Sequence, residues 1–151
     1  MAMLRLVLDT NVWLDWLMFD DPDIAPAKAA VAAGRAEIVI DEAVETELAR
    51  VLGYSFGIRT LDPAKQAELI AQCRRIAQKE EGGSRKADET LLPKCNDPDD
   101  QKFLELALAC SAAFLVTRDQ ALLELAQHKF RPLPYRIVTP RQLAHDLNAK
   151  G

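Results

Sequence analysis

At 151 residues the chain has the size of a single domain, taken here as residues 1–151, large enough to bury one continuous core without disulfides or a structural metal. Apolar residues make up 49% and charged residues 28%, the balance of a soluble globular chain, which excludes disordered and membrane-spanning classes. A net charge of −4 and a sequence pI of about 5.2 repel polyanions, so any nucleic-acid contact has to be local.

In chain order, Leu4-Arg5-Leu6-Val7-Leu8 is an apolar run of strand length. It ends at Asp9, far short of a signal-peptide core or a transmembrane helix, so a cytoplasmic location without membrane contact is expected. Asp9-Thr10-Asn11 then supplies capping residues for a helical pattern through Val12, Trp13, Trp16 and Leu17. A loop rich in Asp and Pro leads to an Ala-rich helix ending near Gly34, where glycine can take the left-handed cap conformation. A second strand is expected over 37–40, a helix from Asp41 to about Leu52, and another opened by Asp62-Pro63, with proline at the first helical position.

Between 80 and 94 the periodicity lapses, and Glu81-Gly82-Gly83-Ser84-Arg85-Lys86 reads as a mixed-charge loop rather than a domain boundary. Asp97-Pro98 opens a helix to about Ser111, Phe114 to Thr117 is a third strand, and Asp119 to Gln127 a further helix. A fourth strand over 135–138 precedes Thr139-Pro140-Arg141-Gln142, a capping box for the last helix. Strands alternate with helices throughout, so the fold class is α/β with a largely parallel sheet.

Cys73, Cys95 and Cys110 have no paired spacing and form no CxxC, which argues against a disulfide framework or a zinc ribbon; they read as buried or idle thiols. His128 and His145 lack a metal-like spacing and read as surface residues.

The chemistry points to the acids. In an open parallel sheet ligands sit beyond the carboxyl ends of the strands, and Asp9 and Asp119 each follow an apolar strand, although each could also be a plain helix N-cap. At 100° per residue Asp100 shares the apolar stripe of Leu104 and Ala107 while Gln101, Lys102 and Glu105 point away, so Asp100 is expected to face inward. Its ordinary role would be an N3 acid with Asp97 as the cap. Glu45 and Glu47 flank the buried stripe of Val44, Leu48, Val51 and Leu52, and the helical wheel does not choose between them; solvated flank residues are the ordinary reading for both. Several carboxylates at one sheet edge repel one another and call for a cation. An oxygen-only donor set favours Mg²⁺ or Mn²⁺ over zinc, which points to phosphoester hydrolysis.

Four segments, in order, resemble the PIN domains, in particular the VapC-like toxins of bacterial toxin–antitoxin pairs: Val7-Leu8-Asp9-Thr10-Asn11-Val12, Glu47-Leu48-Ala49-Arg50-Val51-Leu52, Asp97 through Ala107, and Leu115-Val116-Thr117-Arg118-Asp119. The resemblance implies an α/β/α sandwich around a central, mainly parallel sheet of four to five strands. It implies an endoribonuclease dependent on Mg²⁺ or Mn²⁺, cutting phosphodiesters in line to leave a 5′-phosphate and a 3′-hydroxyl. Asp9, Glu47, Asp100 and Asp119 stand where the family places its metal-binding carboxylates, with Asn11 and Thr117 as polar support and Asp97 as a further outer ligand. The same match favours Glu47 over Glu45. It also implies an RNA substrate, a cognate antitoxin and a homodimer.

Arg118, Arg85 and Lys86 are candidate phosphate contacts and Trp13 a candidate base-stacking residue, against the ordinary readings of solvated charge and a core aromatic. Two other functions compete. A haloacid-dehalogenase-type phosphatase also places an Asp after its first strand, but it wants a second Asp where Asn11 stands. A PIN scaffold that only binds RNA or a partner would keep the fold without turnover.

Overall fold

A computed structural model describes residues 3–56, 59–80, 98–126 and 133–149. The first strand, β1 (Leu4–Leu8), is fully buried from Leu6 to Leu8, as expected of a strand covered on both faces. Asp9 caps α1 (Thr10–Leu14), which widens into a π-turn over Asp15–Phe19, stops at Asp20 in the left-handed region (φ 47°), and passes through a 3-10 turn, Pro22–Ile24. α2 (Ala25–Ala32) follows and closes as expected at Gly34 (φ 75°). There Gly34 N–H donates to Val31 C=O at 3.1 Å and Arg35 N–H to Ala30 C=O at 2.9 Å, a complete Schellman motif.

β2 (Ala36–Ile40) leads to α3 (Glu42–Leu52), capped by Asp41, whose Oδ1 accepts from Val44 N–H at 2.9 Å. A two-residue ladder, β3 (Ser55–Phe56) with β4 (Arg59–Thr60), precedes α4 (Pro63–Ile76) and then β5 (Ala77–Lys79). A 3-10 turn, Pro98–Asp100, opens α5 (Gln101–Ala109). β6 (Phe114–Val116), α6 (Gln120–Leu125), β7 (Arg136–Val138) and α7 (Pro140–Ala149) complete the order. The capping box before α7 is reciprocal: Gln142 N–H donates to Thr139 Oγ1 at 3.1 Å, and Thr139 N–H to Gln142 Oε1 at 2.9 Å.

The main sheet has five strands, all parallel, in the order β5-β2-β1-β6-β7, with helices flanking it. α2 packs on α7, and α3 packs with α1, α4 and α5, while α5 lies on β1 and β6. β1 is paired through Leu6↔Ile38 on one side and Leu6↔Phe114 on the other, so it is the central strand of the sheet.

Three short strands, β3, β4 and β5, lie outside the expected set. β5 carries Ala77-Gln78-Lys79, which has no β-branched or aromatic residue and follows α4 without a turn; it is a strand because β2 offers it an edge, pairing Ile38↔Ala77 and Ile40↔Lys79. The β3–β4 ladder is too short to carry a period-2 signal.

The chain runs from β1 through β2 to β5 on one side, then crosses to β6 and β7 on the other. That reversal at β1 leaves a crevice between the carboxyl ends of β1 and β6, the place where open α/β sheets bind ligands. Asp9 and Thr117 are the first residues past those two ends, and Asp9 N–H continues the ladder to Val116 C=O at 3.1 Å. Among the described residues no helix is long and apolar enough to cross a membrane.

Candidate active site

Asp9 is 4% exposed, a depth at which an ionised carboxylate needs donors or a cation to offset lost hydration. It has two donors. Oδ1 accepts from Val12 N–H at 2.9 Å, the N-cap bond of α1, and Oδ2 accepts from the Thr117 hydroxyl. Thr117, wholly buried, also accepts from Asp119 N–H at 2.9 Å, so one hydroxyl ties together the two acids that follow β1 and β6. Asp119 caps α6, its Oδ1 accepting from Ala121 N–H at 2.8 Å. Both acids are therefore N-caps, as the ordinary reading has it, and neighbours as well.

Burial pushes the Asp9 carboxyl up from 3.8 to about 6, and the charge of Asp119 adds to the rise. The bonds from Thr117 and Val12 and the charge of Arg118 pull the other way without winning. Two acids held together at a cost are unusual in a purely structural pair.

Glu47 reaches the same region from α3. Its Oε2 accepts from the hydroxyl of Thr10, the neighbour of Asp9, and its Oε1 from the Lys102 ammonium on α5, with Arg50 Nη2 at 3.8 Å. The wheel pointed Lys102 to solvent. In the fold its side chain is only 20% exposed, because α5 packs beside α3 and a long aliphatic stem lies along apolar surface while its head finds a carboxylate. Thr10 and Lys102 are site-lining residues that the sequence reading did not name; the polar Asp-Thr-Asn after a strand was the available signal for Thr10, and none existed for Lys102.

Neither Glu45 nor Glu47 is a solvated flank residue. Glu45 is 6% exposed and is held by Arg74 and, at 3.2 Å, by Lys79. Burial raises the Glu45 carboxyl, but the bonds and charges of Arg74 and Lys79 outweigh it and hold the group below its ordinary value. Glu45 thus pins α3 to α4 and β5, whereas Glu47 faces Thr10 at the crevice.

Asp100 faces inward as the stripe required, with its Oδ2 shut off from solvent. The 3-10 turn Pro98–Asp100 runs directly into α5 at Gln101, and the Asp100 side chain makes no cap bond to α5; the cap expected at Asp97 falls outside the described residues. Asp97, Arg85 and Lys86 lie outside the described residues.

Two expected RNA contacts change character. Trp13 is wholly buried, in ring contact with Trp16 at 6.3 Å, and is a core residue that cannot stack a base. Arg118 is exposed and paired with carboxylates: Asp15, Asp21 Oδ2 at 3.2 Å and Asp23 Oδ2 at 3.7 Å. The π-turn and the left-handed Asp20 bring those acids to it, so its charge is already spent on the 15–23 segment. Asn11 is exposed on the first turn of α1. Cys73 and Cys110 are buried free thiols pushed by burial up to about 12 and about 11, so they are unreactive; Cys95 lies outside the described residues.

Among the described residues no three His, Cys, Asp or Glu side chains close into a metal cage. What the crevice offers is a coupled pair of oxygen donors, Asp9 and Asp119. Two carboxylates suit a small hard dication, which keeps several waters and is held by one or two carboxylates together with substrate phosphate.

Comparison with known proteins agrees with this fold. A solved chain of VapBC2 from Rickettsia felis, a complex bound to a DNA fragment from their promoter, superposes with a TM-score of 0.58 at 14% identity, covering 90% of this chain and 98% of that one. No curated protein matches by sequence. The sequence model of the PIN domain matches residues 5–121, a span that runs from β1 through the start of α6 and includes Asp9, Glu47, Asp100 and Asp119. The chain belongs to the PIN-domain family.

Proposed function

We infer that this chain is a ribonuclease dependent on Mg²⁺ or Mn²⁺ that hydrolyses RNA phosphodiesters, and that it is the toxin of a toxin–antitoxin pair, a homodimer held in check by a protein antitoxin. The observation that carries the nuclease reading is Asp9: a nearly buried carboxylate at the switch-point crevice, raised to about 6 and coupled to Asp119 through Thr117. Family membership supports the class of chemistry, and the likeness to a VapBC2 chain supports the partner.

When bound, the divalent ion would supply an activated water and neutralise charge on the phosphate. The chain's own residues do the rest. Asp9 and Asp119 would hold the cation, and Thr117 fixes the Asp9 carboxylate by its hydroxyl and the Asp119 backbone by its lone pair. Glu47 and Asp100 add negative charge from α3 and from the turn before α5. Above about pH 6 Asp9 is ionised and available as a ligand, so cation binding should strengthen as pH rises through that value.

The test is incubation of the purified chain with structured and unstructured RNAs in Mn²⁺ or Mg²⁺, then with chelator. Cleavage that chelator stops, that Asp9→Asn and Asp119→Asn abolish, and that Thr117→Val lowers by roughly 10–100-fold is the expected result. Absence of chelator-sensitive cleavage of any RNA would favour a scaffold that only binds RNA or a partner. Release of phosphate from a chromogenic monoester would favour a phosphatase.

A further inference from the structure

Within the acidic edge one carboxylate is already neutralised by the protein. Glu47 is engaged at both oxygens, by the Thr10 hydroxyl and by the Lys102 ammonium, and its side chain is 11% exposed. Arg50, at 3.8 Å and 59% exposed, is a peripheral partner. Lys102 is different: it belongs to the same segment as Asp100, is largely withdrawn from water, and reaches from α5 across to α3. Lysine suits a replaceable role, being a compact point charge on a flexible stem rather than a rigid fork.

We propose that Lys102 is a built-in counterion: its ammonium holds the Glu47 carboxylate beside Thr10, the neighbour of Asp9, and its charge opposes a divalent ion held by Asp9 and Asp119. The proposal rests on the metal-dependent reading above and deepens it. Asp9 and Asp119 repel each other, Glu47 adds a further negative charge next to Thr10, and Lys102 offsets that added charge. The same positive charge opposes a dication. Were a dication to sit roughly 6 Å from the ammonium under water-like screening, the repulsion would weaken binding by about tenfold. A merely structural lysine, one that only braces Glu47 for ligation, has the opposite signature, because its loss would loosen a ligand and weaken binding.

The experiment is Mn²⁺ titration of the full chain, following free Mn²⁺ by electron paramagnetic resonance, with thermal melts in chelator alongside. Lys102→Met keeps the aliphatic stem and removes the charge. It should melt lower than the parent in chelator yet bind Mn²⁺ about tenfold more tightly, while Lys102→Arg stays close to the parent. Lys102→Gln serves in its place if the Met variant folds poorly. Unchanged or weaker Mn²⁺ binding by the charge-removed variant, with a parent that binds, overturns the counterion role alone. A parent that takes up no Mn²⁺ overturns the metal-dependent reading and this proposal with it.

Discussion

Asp9 shows how one side chain can be both a helix cap and a chemical group. The N-cap bond to Val12 N–H would stabilise α1 in any protein, and it does not require burial to 4% or a second acid behind the next strand. A carboxyl raised from 3.8 to about 6 binds its proton more tightly folded than unfolded. Its stabilising contribution is therefore complete below 3.8 and is lost as pH rises through about 6. At 1.36 kcal/mol per unit, the loss amounts to roughly 3 kcal/mol as an upper bound in the absence of metal. Asp9→Asn removes this titration. Denaturant melts in chelator should show the variant gaining on the parent as pH rises from 4 to 8, with the gain absent below 3.8. A parent whose stability does not fall over that range would mean that Asp9 is not raised.

At the scale of elements, the caps explain where the segments stop. α2 ends on Gly34 in the left-handed region, where no side chain is strained. α5 ends in the same motif, with Ser111 N–H donating to Leu108 C=O at 3.2 Å and Ala112 N–H to Ala107 C=O at 3.0 Å, but here the left-handed residue is Ser111 (φ 56°). A non-glycine residue in that conformation costs on the order of 1–2 kcal/mol, part of which glycine recovers despite its greater freedom when unfolded. Ser111→Gly should therefore stabilise the chain by about 1 kcal/mol in urea melts. An unchanged or lower midpoint would mean that the serine hydroxyl makes up the difference. The π-turn after α1 brings Asp15 and Asp21 onto Arg118, the residue next to Asp119.

For the whole molecule, the parallel sheet and its reversal at β1 matter more than net charge. The −4 balance gives no field to draw in a polyanion, and Arg118, though exposed, is paired with three carboxylates, so on the proposed reading a bound cation would supply attraction for a phosphate. A ligand that binds only the folded state stabilises it by mass action. Saturating Mg²⁺ or Mn²⁺, at about a hundred times the dissociation constant, should add roughly 2.7 kcal/mol, or about 5–10 °C in Tm for a chain of this size. The Asp9→Asn/Asp119→Asn double variant should lose that shift. Equal shifts in both proteins would place cation binding elsewhere.

By itself the sequence determined the α/β class, four of the five strands of the main sheet, most helix starts, and the acids beyond β1 and β6, because apolar periodicity and capping residues are local signals that need no partner to be read. It also marked the inward stripe of Asp100, since one helix face is fixed by its own spacing. Only the tertiary structure decided that Ala77-Gln78-Lys79 is a strand, that Trp13 is core, that Glu45 ties helices together while Glu47 faces Thr10, and that Lys102 turns toward the acids. Each of those depends on what another segment, distant in the chain, places alongside: an open strand edge, a neighbouring helix or an opposite charge. A one-dimensional pattern holds no record of that pairing.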